Sequence, residues 1–259
     1  MVQGIYFHIP YCLSKCRYCD FYSLGGSAQV PQAYVDALLR ELARLRWQLP
    51  GAPDTLYFGG GTPSLLRPAQ LAQLIDAAQP RAGAEITLEA NPETLTPALL
   101  RGFFAAGANR LSLGVQTALD ESLRRMGRPH TAAQARQALL WAQEAGFTNL
   151  SGDVMLALPG YTQKELDATL ELLDSGGCTH ISCYLLKLEP GTPWGKASPA
   201  HLPGEDEAAD FYLACVQALG ARGFAQYEIS NFAKPGYESR HNLLYWNCQH
   251  YLGLGPHAH

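Results

Sequence analysis

Apolar runs alternate with amphipathic segments along most of the 259-residue chain. Runs rich in Val, Ile, Leu, Tyr and Phe predict β-strands, and the segments between them have the apolar spacing of α-helices. The predicted strands are Gly4–Pro10, Thr55–Phe58, Glu85–Glu89, Arg110–Val115, Gly152–Leu158 and His180–Leu188. The predicted helices are Gln32–Gln48, Pro68–Ala78, Pro97–Ala106, Ala132–Ala145, Gln163–Leu173 and Asp206–Arg222.

This regular alternation of strand and helix predicts an α/β fold with a parallel sheet. Because the order shows no obvious reversal, it favours an open, partial (β/α)6 barrel over a doubly wound sheet. We expect the barrel to occupy residues 1–223. Residues 224–259 are expected to begin a further C-terminal region that is incomplete in this chain.

Composition and charge narrow the class of protein. Hydrophobic residues make up 47% of the chain, which is enough for one large core, and the net charge is −4. No basic stripe is visible, so we expect no nucleic-acid partner. The N-terminal segment lacks the pattern of a signal peptide, and no apolar run approaches the length of a membrane span. We therefore expect a cytoplasmic protein with no transmembrane segment.

The cysteines indicate a metal centre. Cys12, Cys16 and Cys19 have the spacing C-x3-C-x2-C directly after the first predicted strand. Thiolates suit iron–sulfur clusters or zinc. A structural zinc site usually has four ligands, which leaves a zinc site completed by His8 or a distant cysteine as the alternative. We favour a [4Fe–4S] cluster with one iron open to a ligand. The other cysteines are expected to be buried small apolar residues, namely Cys178, Cys183, Cys215 and Cys248.

Unusual polar and glycine-rich groups lie at or near the ends of successive predicted strands. They include Gly59-Gly60-Gly61-Thr62-Pro63, Glu89-Ala90-Asn91-Pro92, Gly114-Val115-Gln116, Gly152-Asp153 and Glu189-Pro190-Gly191. In a βα barrel the functional residues lie at the C-terminal ends of the strands. We therefore expect these groups to surround one ligand site.

The cysteine spacing, with an aromatic residue before the third cysteine, resembles the radical S-adenosylmethionine superfamily. The motifs at the strand ends narrow the resemblance to its HemN/HemW branch, over nearly the whole chain. The resemblance implies that the open iron binds S-adenosylmethionine, whose reductive cleavage yields a 5′-deoxyadenosyl radical. It implies cofactor contacts at Tyr6, Tyr18, Gly60, Gly61, Thr62, Glu89, Gln116, Arg128 and Asp153. The methionine ammonium group is expected at residues 60–62 and a ribose at Asp153, whereas a solvated charge is the alternative for Arg128.

That branch contains two functions. One is oxygen-independent coproporphyrinogen III oxidase, and the other is a heme chaperone that passes heme to client hemoproteins. Phe21 stands where the oxidases have a fourth cysteine, only eleven residues precede Cys12, and Arg240–Trp246 carries the H-N-x-x-Y-W motif of the chaperones. These features favour the chaperone. Catalytic turnover stays open, because an iron–sulfur protein that has lost radical chemistry is a third interpretation. Reduction of the cluster would require an external reductant such as flavodoxin or ferredoxin.

The H-N-x-x-Y-W motif supplies His241, Asn242, Tyr245 and Trp246 as candidate heme contacts. Imidazole is a usual axial ligand of heme iron, and aromatic rings can line a porphyrin. The alternative is that His241 is a packed or capping residue. Other candidate ligands are His250, His257 and His259.

Overall fold

The structure is a computed structural model that describes residues 3–258. In that range its β-strands are β1 (Gln3–Ile9), β2 (Thr55–Gly60), β3 (Glu85–Ala90), β4 (Arg110–Gln116), β5 (Asn149–Leu156), β6 (His180–Leu185), β7 (Ala225–Gln226), β8 (Asn231–Ala233) and β9 (His250–Leu254). Its α-helices are α1 (Gln32–Leu45), α2 (Pro68–Ala78), α3 (Pro97–Ala105), α4 (Asp120–Met126), α5 (Ala132–Glu144), α6 (Gln163–Ser175), α7 (Pro193–Lys196), α8 (Glu205–Ala221) and α9 (Arg240–Trp246).

The strands form one sheet in the order β7-β8-β6-β5-β4-β3-β2-β1-β9. Strands β1 to β6 are adjacent and parallel, so the predicted partial (β/α)6 barrel is confirmed. Strand β9, which the hydrophobic pattern did not predict, pairs in parallel with the outer edge of β1. At the opposite edge, β8 pairs antiparallel with β6 and β7 pairs antiparallel with β8. Over residues 3–258 the sheet does not close on itself.

The two faces of the sheet differ in polarity. Successive side chains of a strand point to opposite faces. On β2, Leu56 and Phe58 are fully buried in the hydrophobic core, where the helices pack on the sheet. The alternate positions across the sheet carry polar side chains that face the barrel interior, including Thr55, Tyr57, Glu89, Arg110, Ser112, Asp153 and Ser182. A polar interior makes room for a polar ligand inside the barrel.

Most helix boundaries lie within two residues of the predicted ones, because their ends carry local capping signals. The Thr96 side chain accepts a hydrogen bond from the Leu99 amide at the start of α3. Thr131 and Gln134 form a capping box at the start of α5. The predicted first helix ends earlier as an α-helix, at Leu45, and continues as a 3₁₀ turn.

Helix α9 closes the N-terminal end of the barrel beneath β1, β2 and β3. The Glu85 carboxylate, at the start of β3, accepts hydrogen bonds from the Arg240 amide at 3.1 Å and from the His241 amide at 3.0 Å. A carboxylate stabilises a helix at its N-terminus because it satisfies free amides and faces the positive end of the helix dipole. The segment with the H-N-x-x-Y-W motif is therefore anchored at the opposite end of the barrel from the cysteine loop.

The residues after 223 add β7, β8 and β9 to the same sheet as the barrel strands. The boundary between residues 223 and 224 stays a prediction. In residues 3–258, no helix combines the length and hydropathy needed to cross a membrane.

Candidate functional site

A cavity of about 340 Å³ opens at the C-terminal ends of the strands and extends into the barrel. The cysteine loop after β1 borders it on one side. The predicted site residues that line it are Cys12, Cys16, Cys19, Tyr18, Gly60, Gly61, Thr62, Glu89, Gln116, Arg128, Asp153 and Asn242. The parallel sheet therefore brings together residues that lie far apart in the sequence.

The three cysteines at the cavity mouth are partly buried free thiols. Burial raises the pKa of the Cys19 thiol to about 11. Among residues 3–258, no group of three or more His, Cys, Asp or Glu side chains is arranged to hold a metal ion. Three soft thiols lie on one loop and face one cavity. This set of donors fits an iron–sulfur cluster in which one iron has no protein ligand and can bind another molecule.

The glycines that end β2 allow that strand to approach the cysteine loop. Gly60 has φ of +109°, and a Cβ there would lie 2.6 Å from the His8 ring. A Cβ on Gly61 would lie 2.8 Å from the backbone oxygen of Tyr11. A larger residue at position 61 would push against the backbone at the start of the cysteine loop, and one at position 60 would push against the His8 ring, so glycine at both positions lets the end of β2 lie against that loop.

Two carboxylates, one on β3 and one on β5, project into the cavity. Glu89 accepts hydrogen bonds from the Tyr57 hydroxyl at 2.7 Å and from the Gly60 amide at 3.2 Å. Burial raises the pKa of Glu89 to about 7, although the Tyr57 hydrogen bond opposes the shift. Asp153 accepts from the Ser112 hydroxyl at 3.3 Å. Burial raises the pKa of Asp153 to about 6, and the Arg110 charge opposes that shift.

Arg128 faces the cavity after α4. Its Nη1 donates to the Asn91 Oδ1 at 2.9 Å, and both side chains line the cavity. The alternative that Arg128 is a solvated surface charge is therefore wrong. Gln116 is buried at the end of β4 with φ of +69°, a backbone conformation that places its side chain at the cavity wall.

Arg110 and Tyr57 also belong to the site, although the sequence pattern did not predict them there. Asn91 lines the cavity as expected of the group that follows the third strand. Arg110 is buried, lines the cavity, and has an Nε with no hydrogen-bond partner within residues 3–258. A sequence signal for Arg110 did exist, since Arg110 and Ser112 alternate with leucines on one strand. That period of two predicts that both polar side chains face the same side of the sheet.

Other predicted contacts do not line the cavity. Tyr6 lies within the barrel, where its ring stacks on Tyr57 and its hydroxyl lies 3.2 Å from His8 Nδ1. His241 is fully buried, with Nδ1 2.7 Å from the Thr55 hydroxyl and Nε2 2.9 Å from the Tyr245 hydroxyl. Since both ring nitrogens already have partners, contact between His241 and heme requires α9 to move. That contact stays a prediction.

Tyr245 and Trp246 lie at the C-terminal end of α9, where 39% and 58% of their surfaces are exposed. His250 and His257 are also exposed, and His259 lies outside the described residues. The prediction of buried cysteines is confirmed for Cys178, Cys183 and Cys215 and is wrong for the exposed Cys248.

Comparison with known proteins identifies the family. The model of the Radical SAM superfamily matches residues 6–173. The chain is 38% identical over 268 residues to a protein named heme chaperone HemW from Bacillus subtilis, covering 100% of this chain and 70% of that protein. It is 39% identical over 262 residues to heme chaperone HemW from Escherichia coli, covering 99% of this chain and 69% of that protein.

A mitochondrial relative from Bos taurus, named radical S-adenosyl methionine domain-containing protein 1, is 39% identical over 99% of this chain and 60% of that protein. Among solved structures, coproporphyrinogen III oxidase (HemN) from Escherichia coli, described as a radical SAM enzyme, superposes with a TM-score of 0.82 at 28% identity. That match covers 92% of this chain and 56% of the oxidase chain, so this chain spans just over half of that enzyme.

Proposed function

Because this chain belongs to the radical SAM superfamily and, within it, to the HemW family, we propose that it binds heme and delivers it to client hemoproteins. The observation that carries the proposal is the 38–39% identity to proteins named heme chaperones, over essentially the whole chain. The cysteine loop adds support, since Phe21 borders the cavity where the oxidases have a fourth cysteine. The proposal places the protein in the cytoplasm with an external reductant such as flavodoxin or ferredoxin.

The family implies a [4Fe–4S] cluster and S-adenosylmethionine, and the residues present fit both. Cys12, Cys16 and Cys19 would hold the cluster at the cavity mouth. Residues 60–62 would receive the ammonium end of the methionine moiety, beside Cys12. When bound, the cluster would supply an electron, and S-adenosylmethionine would be the source of the 5′-deoxyadenosyl radical. The chain itself supplies binding, orientation and exclusion of water.

Glu89 and Asp153 are suited to accept hydrogen bonds from ribose hydroxyls, because both carboxylates face the cavity. Arg128 is suited to bind a carboxylate group of the ligand, because its guanidinium lies at the cavity wall, held by Asn91. Gln116 offers both a donor and an acceptor nearby. We propose these roles for the residues that the resemblance assigns to the cofactor.

For heme, we propose that the C-terminal end of α9 provides the contact surface. Tyr245 and Trp246 are exposed there, and the Tyr245 ring packs edge-on against the partly exposed Tyr251 at 4.8 Å. Exposed aromatic rings close together commonly mark a binding surface, and they suit the flat face of a porphyrin. His241 lies directly behind this surface and supports Tyr245 through their hydrogen bond.

The alternative function is oxygen-independent coproporphyrinogen III oxidase. The observation that favours it is the structural similarity to the Escherichia coli oxidase, at a TM-score of 0.82. An oxidase would have to hold a porphyrinogen at the cavity without the fourth cysteine, since the corresponding position is Phe21.

An anaerobic assay with two arms separates these functions. One arm titrates heme into the reconstituted protein and follows the Soret band, and the other supplies coproporphyrinogen III, S-adenosylmethionine and a reductant. We expect saturable heme binding and no protoporphyrinogen. Trp246→Ala should weaken heme binding without lowering the unfolding temperature, because that side chain is mostly exposed. The exposed Trp47→Ala is the matched control. Formation of protoporphyrinogen without stable heme binding would contradict the chaperone function and support the oxidase function.

Asp153→Asn should weaken S-adenosylmethionine binding about 10-fold or more while the cluster stays intact, because a neutral amide is a weaker acceptor than a carboxylate. The wild-type affinity should rise with pH through the pKa values of about 6 for Asp153 and about 7 for Glu89, since only the ionised forms are full acceptors. Isothermal titration between pH 5.5 and 8 measures both effects. In the Asp153→Asn variant, the increase in affinity near pH 6 should be absent. An affinity equal to that of the wild type would show that Asp153 is not part of the site.

A further inference from the structure

A chain of hydrogen bonds joins the cysteine loop to the guanidinium of Arg128. Arg128 Nη1 donates to Asn91 Oδ1 at 2.9 Å, and Asn91 Nδ2 donates to Thr62 Oγ1 at 3.1 Å. Thr62 Oγ1 in turn donates to the Cys12 sulfur at 3.4 Å. These residues follow α4, β3, β2 and β1 respectively, so only the folded barrel assembles the chain.

The chemistry of the donors fixes the direction of every step. A guanidinium carries donors and no acceptor, so the Asn91 atom that faces Arg128 must be the carbonyl oxygen. The amide nitrogen of Asn91 then faces Thr62, whose oxygen has to accept. The remaining direction for the Thr62 hydroxyl proton leads to the Cys12 sulfur. The direction of each hydrogen bond therefore follows from that of the preceding one, and Arg128 is the first donor.

The surroundings hold this arrangement in place. The backbone oxygen of Asn91 accepts from the Thr94 hydroxyl at 2.8 Å. A Cβ on Gly114 would lie 2.8 Å from Asn91 Oδ1, so glycine leaves the space that the Asn91 side chain needs. Thr62 is buried, which shields its hydrogen bond to Cys12 from water.

We propose that Asn91 is a positioning residue that directs the Thr62 hydroxyl onto the Cys12 sulfur and thereby sets the reduction potential of the cluster. Hydrogen bonds to the sulfur ligands of an iron–sulfur cluster tune its potential, because they stabilise the more negative, reduced form. The inference rests on the cluster of the proposed function. It goes beyond that function by giving a redox role to residues that are not ligands and by linking that role to the cavity arginine.

Thr62→Val tests the last step of the chain. Valine has the shape of threonine and lacks the hydroxyl, so the variant should load the cluster fully and show a more negative midpoint potential in spectroelectrochemistry. Thr62→Ser restores a hydroxyl and should return the potential toward the wild-type value. Ser64→Ala, which removes a neighbouring hydroxyl outside the chain, is the matched control and should leave the potential unchanged.

Asn91→Asp tests the directing step. A carboxylate accepts but does not donate, so the Thr62 proton turns toward it and the Cys12 sulfur loses its hydrogen bond. The added charge lowers the potential by itself, and a double-mutant cycle separates the two effects. Thr62→Val should shift the potential in the wild-type background and cause no further shift in the Asn91→Asp background.

The outcomes are distinguishable from those for the proposed function. If the wild-type protein does not assemble a cluster, the proposed function fails. A wild-type potential in fully loaded Thr62→Val would overturn the inference. An equal shift in both backgrounds would remove the directing role of Asn91. If Asn91→Asp does not load, the comparison of the Val and Ser variants at position 62, with iron content measured in each, still decides whether the Thr62 hydroxyl sets the potential.

Discussion

Replacing Cys12, Cys16 and Cys19 together by serine is expected to abolish the cluster. The iron content after anaerobic reconstitution should fall from about four per chain to near zero, and the brown cluster absorbance should disappear. The physical reason is that a serine hydroxyl is a harder ligand than a thiol and ionises far less readily. Each single replacement should also lower the iron content strongly, because it leaves one iron without its protein ligand.

Cys248→Ser is the matched control for this prediction. Cys248 is exposed and does not line the cavity, so its loss should leave the iron content and the absorbance unchanged. The far-ultraviolet circular dichroism of the triple variant should match the wild type, since the cysteine loop lies outside the sheet. Persistence of about four irons per chain in the triple variant would place the cluster elsewhere in the protein.

His241→Ala is expected to lower the free energy of unfolding by about 2–4 kcal/mol. The substitution removes a fully buried ring and leaves the Thr55 and Tyr245 hydroxyls without their partner. His241→Phe keeps most of the volume and loses only the hydrogen bonds, so its cost should be smaller. Chemical denaturation followed by circular dichroism measures both differences.

The stability of α9 should also depend on pH through His241. Burial lowers the pKa of His241 to about 3, whereas the unfolded side chain titrates near 6.5. The contribution of the neutral ring is therefore fully present above pH 6.5 and is lost progressively as the pH falls toward 3. His241→Phe should flatten the stability profile in that window, and an unchanged profile would contradict a neutral buried ring.

The same His241→Phe variant separates packing from heme ligation. Because both ring nitrogens are occupied in the barrel, the predicted heme contact requires α9 to open, and the folded variant should then lose its Soret band on heme titration. A retained band would leave His241 as a packed residue. Loss of the band, with folding and cluster content intact, would establish His241 as a heme contact and would show that α9 opens when heme binds. Trp246→Ala provides the comparison, because it alters the exposed side of the same helix.

The sequence by itself determined the elements of the barrel and the cysteine loop. Helical and strand periods are local properties, as are caps such as Thr96 and Thr131, so segments like Pro68–Ala78 were predicted without knowledge of their neighbours. The rule that ligand residues lie at the C-terminal ends of parallel strands was sufficient to gather Glu89 and Gln116 into one site. Asp153, within β5, was placed there by the family resemblance.

Only the tertiary structure decided the roles of the remaining residues. Strand β9 is short and follows a polar segment, and it becomes a strand through its pairing with β1. His241 meets Thr55 across 186 residues of sequence, a contact that no local pattern encodes. The link from Arg128 through Asn91 to Cys12 likewise depends on three strand ends meeting at one rim. The periodicity of a sequence indicates which side of a helix or strand a residue occupies. The hydrogen-bond partner of that residue depends on packing between segments that are far apart in the sequence, so a local pattern cannot predict it.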